Sequence, residues 1–163
     1  MAAVSFILSA QRDDDVARAF ADYREYLASA RSFPPNAYEL ATSAWYFDFR
    51  DRRCPHDAWL EAITIREPFK GKRHEIRKTR MRIRLLGAYH DGYVEFRYPR
   101  VFSYRFDVSD AGYGHGDWRY DEFRVTGDGH LLHEIEWASG DTWLIESNDV
   151  EFRWIPFKPA ESP

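Results

Sequence analysis

Residues 79–98 read TRMRIRLLGAYHDGYVEFRY. Thr79, Met81, Ile83 and Leu85 alternate with Arg80, Arg82 and Arg84, and the alternation resumes beyond Asp91-Gly92 with Val94, Phe96 and Tyr98. Period two is the signature of a strand with one face on a core and the other in water. Asp-Gly is a two-residue hairpin turn that accepts positive φ at both positions. Folding about it sets Tyr89 against Val94, Gly87 against Phe96 and Leu85 against Tyr98, all on one face. The stretch therefore predicts an antiparallel hairpin whose first strand runs from Ile76 to Tyr89.

The same pattern extends in both directions. Upstream, Trp59, Glu61, Ile63 and Ile65 point one way and Ala58, Leu60, Ala62 and Thr64 the other. Apolar residues of both parities predict a strand covered on both faces. Downstream, Phe102, Tyr104, Phe106 and Val108 share a side. Leu131, His133, Ile135 and Trp137 share another, followed by Trp143 and Ile145, then Val150, Phe152 and Trp154. Turns are expected at Gly127-Asp128-Gly129, Ser139-Gly140-Asp141 and Asn148-Asp149. This register places Trp137, Trp143 and Trp154 in one cross-strand row. Ser109 to Asp117, with three glycines, reads as a loop.

Ahead of the strands, Asp13, Asp14 and Asp15 suit a helix start, where the backbone carries partial positive charge. Val16, Phe20, Tyr23, Leu27 and Ala30 form one apolar stripe. Ser32-Phe33-Pro34-Pro35 ends that helix, and a short second helix is expected from Asn36 to Thr42. Residues 43–49 fit a helix or a strand equally. The expectation is one α+β domain over residues 1–163. Its helical segment spans about 13–42, its curved antiparallel meander of eight strands spans about 57–155, and a frayed tail covers 156–163.

Composition narrows the function classes. The chain has 163 residues, 44% hydrophobic and 17% aromatic, which excludes a disordered polypeptide. A single cysteine, Cys54, allows no internal disulfide and suits a reducing compartment. No basic leader or long apolar span is visible, so a cytoplasmic protein without membrane attachment is expected. Net charge is −4, but residues 57–100 carry a balance of +5 and residues 101–163 a balance of −8.

Motif chemistry is sparse. There is no phosphate loop, no dinucleotide fingerprint, no Gly-X-Ser-X-Gly elbow and no paired-cysteine site, so no cofactor or metal is expected. Of the six histidines, no pair has zincin spacing. His56-Asp57 resembles the His-Asp dyad of metal-dependent phosphohydrolases, but it precedes a strand where that family uses helices. His133 sits between Leu131 and Ile135 on an apolar face. The hairpin register pairs it with Phe123 and brings Asp121 diagonally close. Such a pair serves either as a satisfied core histidine or as acid–base machinery of a small pocket at the sheet end.

The exposed features are basic and aromatic. Lys78, Arg80, Arg82 and Arg84 recur about 7 Å apart along one strand face. Glu134, Glu136, Glu146 and Glu151 are the carboxylates expected to compensate them if the sheet curls; otherwise an acidic partner protein does so. Nucleic acid is disfavoured, because the chain is acidic overall and no aromatics interleave the stripe. Tyr113 and Trp118 flank the glycine loop as candidate partner contacts.

The segment from His56 to Ile63, the long strand pair, His133-Glu134-Ile135-Glu136-Trp137 and Val150-Glu151-Phe152-Arg153-Trp154 together resemble small uncharacterised bacterial α+β domains, some of which are immunity proteins. That resemblance implies a non-enzymatic binding role. With the charge-segregated sheet and no assembled catalytic constellation, the expectation is a protein-binding module, monomeric or homodimeric, that occludes its partner.

Overall fold

The computed structural model describes residues 4–158. It is α+β, with three helices and ten antiparallel strands in three sheets, and no closed barrel among the described residues. The helices are α1 (Ser9–Arg12), α2 (Val16–Ser29) and α3 (Pro35–Thr42). The strands are β1 (Trp59–Arg66), β2 (Phe69–Lys70), β3 (Ile76–Arg77), β4 (Arg80–Leu86), β5 (Gly92–Tyr98), β6 (Val101–Phe106), β7 (Trp118–Val125), β8 (Leu131–Trp137), β9 (Thr142–Ser147) and β10 (Glu151–Pro156). The expected single meander is instead two four-stranded sheets, ordered β1-β4-β5-β10 and β6-β9-β8-β7, plus a β2-β3 ribbon. No helix among the described residues is long and apolar enough to cross a membrane.

The two sheets meet face to face. Met81, Ile83, Leu85, Val94 and Phe96 of the first pack against Phe123, Ile135, Trp143 and Ile145 of the second. Phe96 stacks parallel to Trp118 with centroids 5.3 Å apart. The chain changes sheets at Pro99-Arg100 and returns at Asn148–Val150. The two crossings are tied together, since Arg100 N–H donates to Asn148 Oδ1 at 3.0 Å and Asn148 N–H to the Arg100 carbonyl at 3.0 Å. Asn148-Asp149 is therefore a crossover and not a hairpin turn. Asp149 instead accepts from Asn36 and Ala37 N–H at 3.2 and 3.0 Å, capping the start of α3. Trp154 consequently lies opposite Val94 in the first sheet, and the third member of the tryptophan cluster is Trp118.

The β4-β5 register also differs from expectation. Leu85 lies opposite Val94, Ile83 opposite Phe96 and Met81 opposite Tyr98. The loop is Ala88 to Asp91, closed by Gly87 N–H to the Gly92 carbonyl at 2.9 Å, with His90 at φ +56°. Gly92 is required for another reason: a Cβ there would lie 2.5 Å from the Trp154 ring. Ile76 to Leu86 is broken at Lys78-Thr79, so the long strand is β3 plus β4.

Three bulges reset side-chain parity. The extra residue at Glu61 turns Leu60 inward opposite Leu85 and keeps Ile63 opposite Ile83, so β1 has one apolar face rather than two covered ones. The shift between Trp118 and Tyr120 turns Trp118 inward opposite Trp137. The shift after Val101 puts Phe102 on the outside, stacked on His130 at 3.8 Å, away from the Tyr104 side.

The helices close the second sheet. Asp15, the last of the three aspartates, is the N-cap of α2 and accepts from Arg18 N–H at 3.0 Å. Ala19, Tyr23 and Leu27 are the buried stripe, while Val16 is exposed. Strand β7 is a sheet edge, and its free backbone groups are taken by α2 hydroxyls. Phe123 N–H donates to Tyr23 Oη at 2.8 Å, Tyr23 Oη–H donates to the Phe123 carbonyl at 2.9 Å, and Val125 N–H donates to Tyr26 Oη at 2.8 Å. Residues 43–49 are turns, with Tyr46 fully buried. Of the expected tail, Phe157 N–H is held by the Asp91 carbonyl at 2.8 Å, and residues 159–163 lie outside the described residues.

Candidate functional site

His133 and Asp121 come together as a pair, 2.7 Å from Nε2 to Oδ2, with Phe123 directly opposite His133. They sit in the middle of the sandwich, at 0% and 2% exposure, not at a sheet end. Tyr98 Oη lies 2.7 Å from His133 Nδ1. Asp121 also accepts from Tyr46 Oη–H at 2.5 Å and Trp118 Nε1–H at 3.1 Å. A neutral imidazole protonated on Nε2 satisfies every member: Tyr98 donates to Nδ1, and Nε2–H donates to the carboxylate. Phe96, Phe123 and Trp118 wall the ring. Neither side chain lines the groove on the outer face of the first sheet or the two grooves bordered by α3. What the pair does is tie together β5, β7, β8 and the 43–49 segment.

Trp118 is fully buried, which removes it from any partner surface, whereas Tyr113 stands fully exposed at the glycine loop. His56 stacks on Phe49 at 3.8 Å, and burial holds it below the usual histidine range against the pull of Asp57. Cys54 is buried with its thiol 3.0 Å from the Tyr46 carbonyl, and burial pushes its pKa up to about 12. Folded Cys54 should react with iodoacetamide about 1,000-fold more slowly than the urea-unfolded chain near pH 8. Equal rates would mean that the 46–54 segment opens freely. Among the described residues no cluster of histidine, cysteine and carboxylates could hold a metal.

The basic stripe is open to solvent and larger than the sequence suggests. Register aligns Thr64, Arg82, Arg97 and Glu151 across the outer face of the first sheet, and Ala62, Arg84, Glu95 and Arg153 beside them. Arg66 pairs with Arg80 at the end of β1-β4. Thr64, Arg66, Arg80, Arg82, Arg97 and Glu151 line a groove of about 520 Å³. Lys78 lies beyond it, exposed between β3 and β4.

Internal compensation of the stripe comes from one residue that sequence reasoning missed. The Glu95 carboxylate, without solvent exposure, accepts from Arg97 Nε at 2.6 Å and from Arg84 Nη2 at 3.0 Å, with Arg82 at 4.0 Å. Burial opposes its ionisation, but the hydrogen bonds from Arg97 and Arg84 outweigh burial and hold it below the ordinary carboxylate value. The signal was present: Arg84 and Glu95 are direct cross-strand neighbours once the register is right. Of the expected compensators, Glu134 pairs with Arg124, Glu136 with Arg12 at 2.8 Å, and Glu146 with His130 at 2.7 Å, all on the second sheet. Only Glu151 reaches the arginine face. Among the described residues, Arg66, Arg80 and Arg153 have no carboxylate within salt-bridge distance.

The outer face of the second sheet carries a different charge system. Glu122 accepts from Phe6 N–H at 2.9 Å and Ile7 N–H at 2.7 Å, and it pairs with buried Arg124. Glu136 accepts from Ser9 N–H at 2.7 Å and from Arg12. These carboxylates hold residues 6–12 against the sheet. They are structural and face away from the arginine groove. No protein-family model, curated protein or solved structure matches this chain.

Proposed function

We propose that this protein is a non-catalytic binding module that covers an anionic surface of a macromolecular partner with the outer face of its first sheet. The observation that carries the reading is the placement of six arginines (Arg66, Arg80, Arg82, Arg84, Arg97 and Arg153) on one sheet face, with Glu95 and Glu151 the only carboxylates aligned with them among the described residues. Glu95 is consumed in orienting three of the six. That leaves a net positive, pre-shaped surface in which the guanidinium forks of Arg84 and Arg97 are already fixed. Fixed forks bind carboxylate or phosphate with little further ordering cost. The burial of His133 and Asp121 supports the same reading, because that pair does not line the arginine groove or the two grooves bordered by α3. Acting by occlusion matches in kind the immunity-type domains that the strand pattern resembles.

The test uses heparin as a general polyanion. The protein should bind a heparin column at about 50 mM salt and elute as salt rises. The Arg66→Glu, Arg80→Glu double variant should pass through unretained, with its thermal midpoint within a few degrees of the parent, since neither arginine is paired in the fold. A parent that also passes through overturns the proposal.

A further inference from the structure

The arginine face does not stop at the end of β4. Beyond the Arg66–Arg80 pair the hairpin continues as a two-stranded arm, with Phe69 opposite Arg77 and Lys70 opposite Ile76 in the same register. β2 and β3 pair only with each other. Every residue from Ile65 to Arg80 is exposed except Pro68 and Thr79, which are partly so. At a strand rise of about 3.3 Å per residue, the arm reaches roughly 15 Å past the sheet. Its end is shaped: Gly71 sits at φ +96° beneath the Glu75 side chain, which accepts from Arg73 N–H at 2.9 Å. Residues 66–80 hold seven lysines and arginines against Glu67 and Glu75.

Distribution of these charges identifies what surrounds them. Lys70 lies on one face of the ribbon and Lys72 and Arg73 occupy the tip, while Arg77 on the other face is 3.8 Å from Glu67. A flat acidic patch on a protein would meet the Lys70 face and leave the tip cations repelling each other in solvent. A partner that neutralises that face and the tip together must be a negatively charged cleft. The major groove of a B-form duplex is such a cleft, about 12 Å wide, and it admits a two-stranded β-ribbon. The excess acidic charge of the chain lies in residues 101–163, mostly the second sheet, so it does not dilute the arm's field locally.

Resting on the binding-module reading, we infer that the anionic partner is double-stranded DNA, with the arm of residues 66–80 in the major groove and the arginine face of β4-β5 along the adjoining phosphate backbone. The contacts are to phosphates, so binding is independent of sequence. The chain's negative net charge, which speaks against nucleic acid when counted over the whole sequence, carries less weight once the charges are placed in space.

The experiment is fluorescence anisotropy with a labelled 20-base-pair DNA duplex of arbitrary sequence, with poly-L-glutamate as competitor. Binding in the micromolar range at about 0.1 M salt is expected, steeply weakened by salt. The Lys70→Glu, Lys72→Glu, Arg73→Glu variant changes only exposed ribbon positions. It should bind about 100-fold more weakly and lower the log–log salt slope by about 3. Poly-L-glutamate displacing the protein as readily as unlabelled duplex overturns the inference and assigns the face to an acidic protein. Unchanged duplex binding by the arm variant overturns it as well. Heparin retention that depends on Arg66 and Arg80, without duplex binding, overturns the DNA assignment and leaves the binding-module reading standing. Loss of both ends both.

Discussion

Asp121→Ala should destabilise the protein by about 3–5 kcal/mol, the range seen when one partner of a buried charged hydrogen-bond network is removed. Its carboxylate accepts from Tyr46, Trp118 and His133 in a region without solvent. Alanine leaves three donors unpaired and a void among aromatic rings. His133→Ala should cost a similar amount, by stranding Asp121 and Tyr98 and by opening a larger void. The double variant should cost much less than the sum of the two, because each single change already breaks the shared network. Urea unfolding curves at neutral pH for the four proteins close the cycle. A loss below about 1 kcal/mol for Asp121→Ala would show that water reaches the pair and would reopen an acid–base role.

Glu122→Ala is the second large effect, again about 3–5 kcal/mol. Removing this carboxylate frees the Phe6 and Ile7 N–H groups and leaves Arg124, itself buried, with only Glu134. The damage should be local first. Hydrogen exchange at Phe6 and Ile7 should accelerate more than at β4 or β5, because residues 6–12 are held by Glu122 and Glu136. Uniform acceleration across both sheets would instead mean that the N-terminal strap and the sandwich unfold as one unit.

Much of the second sheet was legible in the sequence. The Gly127–Gly129 turn fixes β7 against β8, and with it the meeting of Phe123, His133 and Asp121. The apolar stripe of α2 and a short α3 were also readable, although Pro35, read as ending the first helix, is the first residue of the second. The failures share a physical cause: a residue type with two uses. Gly92 looks like a turn glycine, but it is there to admit the Trp154 ring, and the hairpin closes through Ala88 to Asp91 with its register moved by four residues. Asp149 looks like a turn residue, but it caps α3 from the far end of the chain. That misreading hid the passage of β10 into the first sheet.

Bulges were the second obstacle. One inserted residue inverts which face every later side chain takes, and no composition signal marks Glu61 or the step after Trp118. Trp118 therefore looked exposed. The candidate binding surface was half legible. The β4 cations were plain, but Arg66, Arg97 and Arg153 joined them and Glu95 became their organiser only under the correct register, and the arm's continuity with the stripe became evident only when Phe69 was seen opposite Arg77.

The tyrosines that occupy the β7 edge set an order of events during synthesis. Tyr23 and Tyr26 bond to Phe123 and Val125, about a hundred positions later in the chain. Closing so long a loop is slow relative to forming local hairpins. Helix α2 can pack on α1, α3 and Phe47 soon after synthesis, but the Tyr23 and Tyr26 hydroxyls have no backbone partner until β7 follows. Once β7 forms, its edge stays open until those hydroxyls reach it. Chaperone demand, and the yield of recombinant material at high temperature, should therefore be governed by how fast α2 finds a strand made about a hundred residues after it.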